Sequence, residues 1–395
     1  MTPEQQGRLA RLKGDVAIVG AADTDYARDY DLARKGQVSR DAYGYAALAF
    51  TRALQDAGLT RSDVDGLIVG PTLATERTGE VLGLNVRWGG QADAVNALLQ
   101  AVMAVHSGLA ECVALVYGND QRSRRKEYGG AQADGSSFLA YVQYAPWGLT
   151  SQGALYAMMT RRYMQLYGLK PEELGQVAVH QRRFAALNPN AIMQEQIDAQ
   201  KYLASRLVCD PLRLYDYCLV NDGGVALIVT TAERARRMRK PAVVIQGIGR
   251  KDINVDATNL APRFLDFYHS AHHEAAASLY SMAGLGPEDI DLVQIYDSFS
   301  AHVLFALEGF GFCEEGQAGR FIGSGATGPG GRLPVNTSGG HLAESYMQGW
   351  NHQVEIVRQL RGEAGRRQVD GARHAQYISD VAGKVASLVF SRSGA

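Results

Sequence analysis

Ala283-Gly284-Leu285-Gly286-Pro287-Glu288-Asp289-Ile290-Asp291-Leu292-Val293-Gln294-Ile295 repeats the design of Ala57-Gly58-Leu59-Thr60-Arg61-Ser62-Asp63-Val64-Asp65-Gly66-Leu67-Ile68-Val69. Each segment reads as a helix end, a Gly-Leu pair, a capping turn with acids, an aspartate and a short apolar strand. Each is also preceded by a strand and a helix in the same order. Chance similarity of one connection would not extend to the elements before it, so two matched α/β halves are the economical explanation. The boundary is placed after the basic run ending at Lys240 and before Pro241, giving halves 14–240 and 241–395.

Working outward, the apolar run 16–20 predicts a buried strand, and alanine-rich 46–54 predicts a helix closed by Gly58. A long helix is predicted from about 92 to 106, and 112–117 is the next strand. From 119 to 146 charge, glycine and serine break the pattern, and about 119–222 is read as a loop subdomain within the first half. Helices are predicted over 154–167 and from Pro171, whose proline and acids suit a first turn. Asp222-Gly223-Gly224 opens a further strand. In the second half a glycine loop, Pro334 through Gly349, feeds a helix carrying Val354, Ile356, Val357 and Leu360.

Composition sets the bounds. The chain has 395 residues, 46% hydrophobic and 21% charged, which makes disorder the wrong default. A net charge of −1 gives no general field for nucleic acid or an anionic membrane. No apolar run approaches the ~20 residues of a membrane span, and residues 1–13 lack the apolar core of a secretory signal. Cys112, Cys209, Cys218 and Cys313 show no paired short spacing, which argues against a zinc site or disulfide framework and for a cytoplasmic location.

Candidate chemistry gathers near the C-terminal end. Tyr296 ends the strand 292–295 and is followed by Asp297 and Ser298; Tyr346 stands between the glycine loop and its helix. A tyrosine hydroxyl is an acid at neutral pH and becomes a base only beside donors or positive charge. Both tyrosines are expected at a sheet edge, where open α/β sheets bind ligands. Among 19 tyrosines, buried packing residues with satisfied hydroxyls are the bland alternative. His341 and His352 flank the loop as acid, base or orienting groups, with a structural role favoured where no partner is visible. Gly339 and Gly340 either aim backbone N–H groups at an oxyanion or make a plain turn. Arg122, Arg124, Arg125 and Lys126 suit phosphates, or form a solvated face.

The two-fold design, Asn188-Pro189-Asn190-Ala191, the Asp222-Gly223-Gly224 strand and Val335-Asn336-Thr337-Ser338-Gly339-Gly340 resemble the thiolase superfamily, in its sterol-carrier-protein-x and lipid-transfer-protein branch. The resemblance implies a duplicated thiolase fold: two βαβαβαββ-type halves in αβαβα layers. The departures say more. The nucleophilic cysteine of thiolases is expected near Gln91, where none stands. Tyr296-Asp297-Ser298-Phe299 replaces His-Asp-Cys-Phe, Ser345-Tyr346-Met347 replaces Gly-His-Pro, Gly349 is kept, and the second cysteine is missing from 378–383. A covalent acyl-enzyme on cysteine is therefore excluded.

This pattern resembles the lipid-transfer-protein-type aldolases that shorten steroid side chains by retro-aldol cleavage of a β-hydroxyacyl-CoA, giving a ketone and a shorter acyl-CoA such as propionyl-CoA. The resemblance implies Tyr296 and Tyr346 as catalytic residues, with Asp297, Ser298, Gly339, Gly340 and Gly349 as supporting or oxyanion groups. It places Gln91, Asp93 and His341 at the substrate and Arg122, Arg124, Arg125 and Lys126 at the phosphates of coenzyme A. No covalently bound cofactor and no metal on this chain are expected. The implied partner is a small zinc-ribbon/OB-fold protein, around a homodimeric core within a heterotetramer. A non-catalytic thiolase-fold subunit and a Claisen-type acyltransferase are the rival readings.

Overall fold

The computed structural model describes residues 11–37, 40–126, 144–149, 151–256, 260–381 and 383–394. Strands of the first half are β1 (Val16–Asp23), β2 (Gly66–Val69), β3 (Trp88–Gln91), β4 (Cys112–Asp120), the short β5 (Leu207–Cys209) and β6 (Leu212–Arg213), and β7 (Asp222–Thr231). The second half contributes β8 (Val243–Asp252), β9 (Leu292–Ile295), β10 (His374–Ser379) and β11 (Lys384–Arg392). The helices that matter here are α1 (Ala42–Ala57), α2 (Ala94–His106), α3 (Gln152–Tyr167), α4 (Pro171–Ala185), α5 (His269–Ala283), α6 (Ser300–Gly309) and α7 (Trp350–Arg361).

Among the described residues, one mixed sheet runs in the order β3-β2-β4-β7-β1-β8-β11-β10-β9. Read from its two edges inward, the halves match position by position. β2 and β4 pair in parallel as β9 and β10 do; β4–β7 and β10–β11 are antiparallel, as are β7–β1 and β11–β8. The counterpart of β3 is reduced to a parallel bridge between Val293 and Val335. The halves join where Ala17 and Ile18 pair with Val244 and Val243.

The repeated aspartates explain why the motif recurs. Asp65 accepts the N–H groups of Glu111 (2.9 Å) and Cys112 (2.8 Å), clamping the start of β4. Asp291 accepts those of Arg373 (2.7 Å) and His374 (2.8 Å) at the start of β10. The capping acids repeat as well, Asp63 taking the N–H of Thr60 and Asp289 that of Gly286, both at 2.8 Å.

Layering follows from which helices are apolar on one stripe and which all round. α1 packs on β1, β4 and β7, and α5 on β8 and β11. α2 and α7 touch strands of both halves and form the middle of an αβαβα stack, the duplicated architecture expected from the repeat. α2 is rich in buried alanine, valine and leucine. It begins at Ala94 rather than 92 because the Asp93 side chain caps it, accepting from Asn96 N at 3.2 Å. α7 is different: nearly every residue is buried although more than half are polar. Such groups need partners, and they have them: Glu355 with Arg367 at 2.8 Å, Arg361 with Asp56 at 2.7 Å, and Gln353 with the carbonyl of Ala94 at 2.9 Å. Residues 127–143 and 150 of the expected loop subdomain lie outside the described residues. No described helix is long and apolar enough to cross a membrane.

Candidate active site

Parallel β9 and β10 end side by side, so their next residues share one sheet edge; Tyr296 N donates to Ile378 O at 2.8 Å there. Asn336, at φ +52°, pins the glycine loop to the same edge: its Oδ1 accepts from Ile295 N (2.7 Å) and its Nδ2 donates to Ile295 O (3.0 Å). Asn221 accepts the N–H of Tyr346 at 2.7 Å. The result is that Tyr296 and Tyr346 meet, hydroxyl to hydroxyl, at 2.8 Å. Tyr296 is 8% exposed and Tyr346 half-buried. Burial, with the neighbouring Tyr346, pushes the Tyr296 phenol well above its ordinary range, so it is protonated at neutral pH.

Asp297 is the anchor below them. Fully buried, it accepts from His341 N at 2.9 and 3.0 Å and from Leu342 N at 3.4 Å. His352 Nε2 lies 3.0 Å from its Oδ1, and His352 Nδ1 lies 3.2 Å from Gln294 Oε1. The ring of His341 packs 4.7 Å from Tyr296 and 5.0 Å from Tyr346. Gly349 N donates to His341 Nε2 at 2.9 Å, which puts the ring proton on Nδ1, facing Asp297 at 3.4 Å. Burial, helped by His352, lowers the His341 pKa well below the ordinary imidazole range, so the ring is neutral. Ligand atoms of Asp297, His341 and His352 all lie within 4.8 Å of one another. Asp297 and His352 are hydrogen-bonded to one another, and Asp297 is bonded to the loop that carries Tyr346, so the cluster serves as support for the tyrosines.

The glycine N–H groups of the loop have partners within it. Gly339 N donates to Asn336 O (2.8 Å), Gly340 N to Ser338 Oγ (3.4 Å) and Gly349 N to His341. These N–H groups are spent inside the loop. Close packing explains two of the residues instead: a Cβ on Gly340 would lie 2.4 Å from Asp297 Oδ2, and one on Gly349 1.9 Å from the Tyr377 hydroxyl, at φ +59° and +87°. Gly349→Ala should therefore cost roughly 1–3 kcal/mol of stability, read from urea unfolding. An unchanged midpoint would show that the turn re-forms around a side chain.

Gln91 sits exposed on the edge strand β3 and donates to the Leu73 carbonyl at 2.6 Å. Asp93 caps α2 and pairs with Lys384 at 2.6 Å. The structure does not join either to the tyrosine pair by a direct bond. Arg122, Arg125 and Lys126, with Arg34, line a cleft of about 540 Å³. Arg122 lies 4.0 Å over the Tyr30 ring, while Arg124 turns away to Asp120 at 2.7 Å. Sequence reading assigned no role to Asn221, Asn336, His302 and Asp380, although Asn336 stands in the quoted loop motif and His302 four residues after Ser298.

A family model described as thiolase C-terminal domain-like matches residues 257–390. A steroid side-chain-cleaving aldolase of Thermomonospora curvata is 35% identical over 90% of this chain and 92% of its own length. The 17-hydroxy-3-oxo-4-pregnene-20-carboxyl-CoA lyase of Mycobacterium tuberculosis is 35% identical over 89% of this chain and 92% of its own. Among solved structures, the Ltp2-ChsH2(DUF35) aldolase superposes with a TM-score of 0.86 at 32% identity, covering 97% of this chain and 99% of that one. With relatives this similar along nearly their whole length, the chain belongs to the thiolase superfamily, in the family of the steroid side-chain-cleaving aldolases.

Proposed function

We propose that this protein is an acyl-CoA aldolase, a carbon–carbon lyase that cleaves a β-hydroxyacyl-CoA by retro-aldol reaction to a ketone and a shorter acyl-CoA such as propionyl-CoA. The observation that carries the reading is the 2.8 Å contact between the Tyr296 and Tyr346 hydroxyls at the sheet edge. One tyrosine takes the β-hydroxyl proton as it passes its own across their direct bond to the other, which gives its proton to the released enolate, so both end as neutral phenols. Three thiols are held back from competing: burial pushes those of Cys112, Cys218 and Cys313 up to about 12. The relatives' names support a steroid or similar hydrophobic ring as the body of the substrate. The two components named in the Ltp2-ChsH2(DUF35) aldolase support a partner of that type, and we infer a small zinc-ribbon/OB-fold protein on a homodimeric core. The free cysteines are in keeping with a cytoplasmic site of action, and 14–240 and 241–395 remain the proposed units.

The basic cleft of Arg34, Arg122, Arg125 and Lys126 supplies charge for the phosphates of coenzyme A. Arg122→Glu with Lys126→Glu is expected to raise KM at least tenfold while leaving kcat close to wild type, because the contact is equally present in ground and transition states. A fall in kcat at constant KM would move the phosphates elsewhere. The deciding experiment is turnover of a synthetic β-hydroxyacyl-CoA by the chain co-expressed with its partner, with ketone and propionyl-CoA both quantified. Binding of the thioester without either product would leave a coenzyme-A-binding subunit in its place.

A further inference from the structure

The ends of two neighbouring strands hold both the tyrosine loop and the basic cleft. β4 and β7 pair antiparallel, with Asn119 opposite Gly223 and Asp120 opposite Asp222. Asn221 stands just before β7, and Asn119, Asn221 and Asp222 are all fully buried. Val220, one residue earlier, lines the basic cleft, as do Arg122 and Ser123 just after β4. Buried polar side chains need partners, and these three find theirs on opposite sides of the junction.

On one side is the peptide of Tyr346. Asn221 Oδ1 accepts its N–H at 2.7 Å, while Asn221 Nδ2 donates to Ser345 Oγ at 2.8 Å and to the Asp222 carbonyl at 3.1 Å. A backbone N–H can only donate, so the Tyr346 contact fixes which way the Asn221 amide points. On the other side is the loop of the cleft. Asp222 Oδ1 accepts from Arg122 N at 2.9 Å and from Ser123 N at 3.1 Å, and its Oδ2 accepts from Ser123 Oγ. Asn119 touches both sides: its Oδ1 accepts from Gln121 N at 2.9 Å, and its Nδ2 lies 3.5 Å from the Tyr346 carbonyl.

A coenzyme A thioester carries its phosphates at one end and its reacting carbon at the other. The pantetheine arm sets the distance between them, so a site that orients both ends must hold its phosphate loop and its reacting groups at a matching separation. We propose that Asn221 is the positioning residue of Tyr346 and Asp222 that of the phosphate-binding loop, and that their adjacency fixes the span from the phosphates to the reacting carbon. The proposal rests on the aldolase reading above and on its assignment of the basic cleft. Its two halves have different kinetic signatures. Misplacing Tyr346 weakens a contact made in the transition state and lowers kcat, whereas loosening the phosphate loop weakens binding throughout and raises KM.

The full-length chain with its co-expressed partner is assayed on a β-hydroxyacyl-CoA and on the same acyl group carried by pantetheine, which has no phosphates. The wild type should show a KM at least tenfold higher for the pantetheine thioester. Asn221→Ala should lower kcat about 10–10²-fold on both thioesters with little change in KM, since a small misplacement of a reacting group is felt in the transition state. Asp222→Ala should raise KM for the coenzyme A thioester about tenfold, an increase that disappears on the pantetheine thioester. Asp222→Asn keeps an acceptor for the two N–H groups and should recover most of the loss. Ser345→Ala and Ser123→Ala each remove one partner of these side chains; they should move the same constants less, and they serve if the alanine variants fail to fold. A folded Asn221→Ala variant with the wild-type kcat overturns the proposal. So does an Asp222→Ala effect of equal size on both thioesters, which loss of packing would produce. A wild type that cleaves both thioesters with the same KM refutes the phosphate cleft, and one that cleaves neither refutes the aldolase reading; the proposal falls in either case.

Discussion

Replacing either Tyr296 or Tyr346 with phenylalanine should slow cleavage about 10²–10⁴-fold, the usual worth of a positioned acid or base. Phenylalanine removes one oxygen and keeps the ring, so the packing of Tyr296 and Tyr346 on His341 is retained. The two hydroxyls share one hydrogen bond, and groups that act as a unit are not additive. The double variant should therefore be little slower than the poorer single one. Losing a buried hydroxyl also costs about 0.5–1.5 kcal/mol of stability, so thermal midpoints belong beside the rates. Two folded single variants that cleave at near-normal rates would make the tyrosines packing residues and move the active site elsewhere.

Asp297→Ala should be the most destabilising single change at this edge, costing about 3–5 kcal/mol, as expected when one partner of a buried charged contact is removed. The carboxylate accepts from His341 N, Leu342 N and His352 Nε2. Alanine leaves all three donors buried and unpaired, and frees the loop that carries Tyr346. Asp297→Asn keeps one acceptor oxygen, so a smaller loss is expected in the same urea titration. A loss below about 1 kcal/mol for alanine would mean that water enters and satisfies these donors.

The duplication was legible because it is written in local chemistry. Asp65 and Asp291 each clamp a strand start, and the residue types needed for that job recur at the same spacing. The tyrosines were legible as the residues delivered by a strand end and a glycine loop. Their contact spans 50 residues, and only the family's two motifs pointed to it. What stayed hidden depends on distant partners. Gly349 N meets a side chain, His341, that a turn motif does not announce. Asp297 meets donors 44 and 55 residues further on. His302 meets Asp380 across 78 residues, a pairing created by the parallel alignment of β9 and β10. Asp93 shows another limit: an aspartate before a helix looks the same whether it binds a ligand or caps the helix.

The bond between the two tyrosine hydroxyls also bears on the order of events in a catalytic cycle. The two hydroxyls already satisfy each other, so an incoming molecule must break their bond to reach either of them. An alcohol both gives and accepts a hydrogen bond, and it can stand between the rings with every oxygen still partnered. A ketone only accepts, but its oxygen carries two lone pairs and can take both phenol protons at once. Reactant and product therefore displace the same bond, and its re-formation favours release of whichever is bound. The resting contact acts as a latch that closes behind any departing ligand.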